Sequence, residues 1–115
     1  YLVIEPTEAM TVIDVNSGKS IKGKNAEEQF LKINIEAAKE IARQLRLRNI
    51  SGIVMIDFIN MKKESHNHEL MKNLAEYVRT DPVRTTVVDM TKLGLVELTR
   101  QKGKRALHEV FSEIK

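Results

Sequence analysis

The sequence predicts an α/β fold: a mixed β-sheet of about five strands with helices packed on it, in the order ββαβαββα. Three observations predict it. Two apolar runs, over 10–15 and 53–58, read as strands, and each reaches an aspartate, Asp14 and Asp57. Two long stretches between them and beyond repeat apolar residues at helical spacing. The tetrapeptide Pro6-Thr7-Glu8-Ala9 separates two short strand-like segments at the start.

In order along the chain, residues 1–5 and 10–15 form a predicted hairpin around that tetrapeptide. Residues 16–24 are polar, with two glycines, and read as a loop or a short edge strand. Asn25 stands at an N-cap position with Glu28 three residues on, a capping-box arrangement. The helix that follows runs to about Arg48, with Phe30, Ala37, Ala38, Ile41 and Leu45 on one face. Asn49 and Gly52 stop it. Residues 53–58 are apolar at both parities, the pattern of a strand covered on both faces. Ser65 is placed to cap a second helix with an inner stripe of Leu70, Met71, Leu74, Tyr77 and Val78, ended by Asp81-Pro82. Residues 85–88 and 95–99 are two more predicted strands, and 105–114 a last helix. No internal repeat or low-complexity tract is present.

A chain of 115 residues makes one domain, and at 42% hydrophobic residues it can bury a core, aliphatic because tryptophan is absent. No apolar stretch approaches the ~18 residues that span a membrane, so no membrane partner is expected. With no cysteine there is neither a disulfide framework nor a thiolate metal site, which suits a cytoplasmic protein. The net charge of +3 and pI near 9.2 permit a polyanionic partner without demanding one. Residue 1 is Tyr and already reads as strand, so the chain is expected to be a segment of a longer protein.

A carboxylate in a buried strand needs a partner, a hydrogen-bond network or a metal. Asp14 and Asp57 both fall near the carboxyl ends of predicted central strands, where ligands gather in such sheets. Asn16, two residues beyond Asp14, shares its strand face. Oxygen ligands of this kind suit Mg²⁺, with Mn²⁺ as a substitute. The competing reading is that Asp14 and Asn16 only shape the Asn16-Ser17-Gly18 turn. Asp57 has no such turn to explain it.

Other motifs fail on spacing. Gly18-Lys19-Ser20 lacks the earlier glycine of a phosphate loop, where Ile13 stands. A calcium loop starting at Asp14 would need Glu where Asn25 stands. On a helix, His66 and His68 point to nearly opposite sides, so they are read as exposed polar residues. Asn34 shares the apolar helix face and must satisfy its amide there, holding a loop or strand end. Basic residues cluster at Arg43, Arg46 and Arg48, and at Arg100, Lys102, Lys104 and Arg105. Such runs are usually solvated faces, and hold phosphates only if they lie beside the strand ends.

Four segments together resemble the ribonuclease E/G family. Residues 7–18, with Asp14-Val15-Asn16-Ser17-Gly18, resemble its first active-site segment. Residues 34–49 resemble its helix, Ile56-Asp57-Phe58-Ile59 its second metal segment, and residues 94–100 its late strand. The segments occur in order over nearly the whole chain.

The resemblance implies a cytoplasmic endoribonuclease that hydrolyses single-stranded RNA in mRNA decay and rRNA processing. The whole chain, 1–115, would be its DNase I-like catalytic subdomain, with Asp14 and Asp57 catalytic, both holding one Mg²⁺, and Asn16 supporting them. The reaction would be metal-assisted hydrolysis leaving a 5′-phosphate and a 3′-hydroxyl. Lys19, Arg100 and Lys102 become RNA-contact candidates. The remaining domains of a parent ribonuclease and a homo-oligomeric parent are implied partners. One departure is Asn60, where many relatives carry an acidic residue. A non-catalytic RNA-binding or scaffold module is the competing class, and no residue here separates RNA from DNA as substrate.

Overall fold

The computed structural model describes residues 1–18 and 21–102. The order is β1 (Leu2–Pro6), β2 (Thr11–Val15), α1 (Ala26–Leu47), β3 (Gly52–Asp57), α2 (Glu64–Arg79), β4 (Thr85–Met90) and β5 (Leu95–Arg100). The fold class is the predicted one, a five-stranded mixed sheet with helices packed on it. The last predicted helix, 105–114, lies outside the described residues.

Strand order is β1-β2-β3-β5-β4. The β1–β2 hairpin is closed at Thr7, whose amide and hydroxyl both donate to the Met10 carbonyl, at 2.8 and 2.6 Å. β2 and β3 are parallel, joined through α1, and every other pairing is antiparallel. A bulge at Val88 interrupts β4.

Both helices lie on one side of the sheet. α1 and α2 pack against each other, and their apolar faces join Ile13, Val15, Val54, Ile56, Val96 and Leu98 in one core. Among the described residues no element covers the other side of the sheet, which corrects the expectation that the 53–58 strand is covered on both faces. Ile53 is 40% exposed and Val12 38%. Apolar residues at both parities here mean one buried row and one row on the open face.

Two capping expectations also change. Asn25 is the N-cap of α1 but makes no side-chain cap bond. Ser65 lies inside α2, which begins at Glu64. The start of α2 is held instead from α1: the amides of Lys62 and Lys63 donate to Glu27 Oε1 at 2.6 and 2.9 Å. Those amides, Lys63 first, hold the Glu27 carboxyl below its ordinary value against the burial that opposes them. Asn49, at φ 50°, ends α1 in the left-handed conformation that asparagine tolerates.

Candidate metal centre

The parallel register of β2 and β3 sets Asp14 directly opposite Asp57. Residues opposite each other in a sheet share a face, and here that is the open one: both aspartates are exposed. Neighbouring strands run ~4.8 Å apart. At that spacing one cation, with Mg–oxygen distances of about 2.0–2.1 Å, can be shared by both carboxylates. Among the described residues neither carboxylate has a hydrogen-bond or ion-pair partner. Among the described residues, then, neither anion is ion-paired. A pair is all there is, since no group of three or more His, Asp or Glu among the described residues could hold a metal. That suits Mg²⁺, which commonly takes one or two carboxylates and completes its shell with water and substrate phosphate.

The carboxylates are exposed rather than buried, because the sheet is covered on one side only. Alternation makes this legible after the fact: in β2, Thr11, Ile13 and Val15 point into the core while Val12 and Asp14 point out.

Asn16 follows Asp14 at the end of β2. Its Oδ1 accepts the Gly18 amide at 3.0 Å, so the side chain shapes the turn, as the competing reading expected.

Asn34 holds the other strand end. Fully buried on α1, it donates from Nδ2 to the Ile59 carbonyl at 2.8 Å and accepts the Ile59 amide at Oδ1 at 2.9 Å. This fixes the backbone two residues beyond Asp57.

The basic candidates lie elsewhere. Arg100 pairs with Gly52 and Leu95 with Asp57, so Arg100 is at the opposite end of the sheet from the aspartates. It is also 2% exposed, and all three nitrogens of its guanidinium are hydrogen-bonded. Nε and Nη2 donate to Asp81 at 2.8 and 3.2 Å, and Nη1 to the Ile50 carbonyl at 2.8 Å and Asn49 Oδ1 at 3.1 Å. Arg100 is thus corrected from an RNA-contact candidate to a core ion pair. The missed signal was parity, since Val96, Leu98 and Arg100 form one inward row. Lys102 is exposed but beyond Arg100, at that same far end. The Arg43, Arg46 and Arg48 group at the end of α1 leads into the start of β3 and is likewise far from Asp57. Lys19 lies outside the described residues. The cations that topology brings to the aspartate end, among the described residues, include Lys22, Lys24, Lys62, Lys63 and Lys92, all exposed and none predicted as an RNA contact. His66 is not an exposed residue: its side chain is 16% exposed, with Nδ1 3.9 Å from Glu27.

A profile of the Ribonuclease E/G family matches residues 1–103. The chain is 48% identical over 113 residues to a ribonuclease E of Synechocystis, covering 98% of this chain and 17% of the relative. It is 43% identical over 113 residues to a ribonuclease G of Haemophilus influenzae, covering 98% and 23%. It is 43% identical over 111 residues to a ribonuclease G of Escherichia coli, covering 96% and 23%. The chain therefore spans between a sixth and a quarter of the length of these relatives.

Proposed function

Because the chain belongs to the ribonuclease E/G family, we propose that it is the catalytic subdomain of a longer metal-dependent endoribonuclease acting on single-stranded RNA. The observation that carries this reading is the Asp14–Asp57 register pair on the open sheet face. The two carboxylates hold one Mg²⁺, or Mn²⁺ in its place. When bound, the ion neutralises phosphate charge and makes water a better nucleophile. The chain's own part is positional. β2 and β3 fix the carboxylates side by side, and the Asn34–Ile59 clamp and the Asn16–Gly18 turn fix the two strand ends. The open face leaves room for an RNA strand from above. The clamp that grips that strand, and the partner subunits of a homo-oligomer, are assigned to the rest of the parent in the cytoplasm.

The test is Asp14→Asn and Asp57→Asn in the full-length ribonuclease. Both variants are expected to keep the wild-type melting temperature, because each relieves repulsion between neighbouring anions. Both are expected to abolish RNA cleavage. Cleavage near the wild-type rate in either one contradicts the assignment.

A further inference from the structure

A cleft of about 760 Å³ opens at the carboxyl edge of the sheet, between the start of α2 and the β4–β5 turn. Neither aspartate lines it, and the connection to them runs along the chain. Phe58, Ile59 and Asn60 continue the strand from Asp57, and Gly94 directly precedes Leu95, the register partner of Asp57. Met71, Met90 and Leu93 bring apolar atoms to its lining, and Asn60, Glu64, Asn67, His68 and Lys92 polar ones.

The far wall is built to keep its shape. Thr91 accepts the Gly94 amide at its carbonyl at 2.9 Å, and its own amide donates to the Leu95 carbonyl at 2.7 Å. Its hydroxyl accepts the Leu95 amide at 3.2 Å. Gly94, at φ 86°, takes a backbone conformation that a side chain would strain. The turn so closed presents Lys92 and Leu93 at its tip, with Leu93 87% exposed. An exposed leucine beside a cleft offers a flat base an apolar surface. Lys92 and Glu64 are the charged residues of the lining, and the exposed Lys62 and Lys63 follow Met61 in the chain.

Resting on the nuclease reading above, the geometry points to this cleft as the subsite for the nucleotide next to the scissile phosphate. The base lies on the Met71–Met90–Leu93 surface, the Asn60 amide reads its edge, and Lys92 pairs with the adjoining phosphate. The cleft thereby gives the enzyme part of its base preference. Asn60 acts here in recognition of the base.

Two measurements on the full-length ribonuclease decide this. The first cross-links a single-stranded oligonucleotide, with 4-thiouridine placed in turn at each position flanking the cleavage site, to the inactive Asp57→Asn enzyme. Cross-links from one flanking position to residues 58–61, His68 or 90–94 are expected. The second compares kcat/KM on oligonucleotides with each of the four bases at that position. Asn60→Ala is expected to compress the preference by about 3–10-fold, the worth of one hydrogen bond. Lys92→Ala is expected to raise KM for all four alike. Cross-links confined to other residues, with base preference unchanged in Asn60→Ala, overturn the subsite. If the wild-type enzyme cuts no RNA, the nuclease reading fails, and the cross-links alone decide whether the cleft takes a nucleotide.

Discussion

Asn34 and Ile59, 25 residues apart, exchange two hydrogen bonds across the interface between α1 and the end of β3. The asparagine side chain acts as a short stretch of backbone. It satisfies the donor and acceptor of a residue that has left the sheet and has no strand to pair with. The clamp stands between a helix in the core and the strand end that carries Asp57.

Asn34→Ala leaves both Ile59 groups unpaired in a half-buried place. From the cost of unmade hydrogen bonds, a loss of about 2–4 kcal/mol in urea unfolding is expected. In the full-length enzyme the same variant should lower kcat more than it raises KM, because Asp57 loses its fixed position. An unchanged unfolding midpoint would show that the two bonds contribute nothing net.

Arg100 and Asp81 form a second buried pair, with side chains 3% and 1% exposed. Removing one partner strands the other as an uncompensated charge. Arg100→Ala is therefore expected to cost about 3–5 kcal/mol by denaturant titration. Lys in its place keeps the charge but loses the fork that reaches Asp81, Asn49 and Ile50 together, so it rescues only in part. Measured where the variant is folded, the salt dependence of RNA binding should not change. A slope shallower by about one unit would return Arg100 to the RNA-contacting residues.

Acid should weaken the fold through two carboxylates. Burial pushes the Asp81 carboxyl up, but the Arg100 hydrogen bonds and charge, with the Val83 amide and Thr85 hydroxyl, outweigh it and leave the group below its ordinary value. Glu27 is lowered by the α2 amides. A carboxylate with a depressed folded pKa stabilises above its unfolded pKa and loses that contribution as pH falls through the folded one. Stability is thus expected to be level near neutrality with respect to these groups and to fall below about pH 4. Asp81→Asn, less stable at neutral pH, should show a flatter acid limb. An acid limb as steep as wild type would exclude Asp81 as a cause.

The strands and helices were legible because each carries its own period, and the aspartates were legible because charge is rare at the end of an apolar run. Which sheet face they occupy was not. Val12, Ile53 and Met55 suggest cover on both sides, and only the placement of both helices on one side shows that this row is open. The inward direction of Arg100 is carried by the parity of Val96, Leu98 and Arg100, a signal that the basic residues around it mask. The Glu27 cap had no local signature at all, since its acceptor lies 35 residues from the nearer amide. The lysines at the aspartate end are likewise scattered in the sequence, because β3, α2 and the β4–β5 turn meet only in the folded chain.

The isolated 115-residue chain is expected to bind single-stranded RNA weakly and to cut it poorly. Its open face carries Glu5, Asp14, Asp57, Asp89 and Glu97, which repel phosphate, and few aromatics to stack on. Fluorescence anisotropy at low and moderate salt measures this. Tight binding that persists at moderate salt would mean the chain carries its own RNA platform.

A Mn²⁺ titration of the chain followed by NMR, reading paramagnetic broadening residue by residue, tests whether one cation is shared by Asp14 and Asp57. Shared ligation predicts that Asp14 and Asp57 broaden first and together at sub-stoichiometric Mn²⁺, and that Asp14→Asn abolishes the effect at both positions. Broadening centred elsewhere, or effects at Asp57 that survive Asp14→Asn, would contradict a single cation held between the two strands.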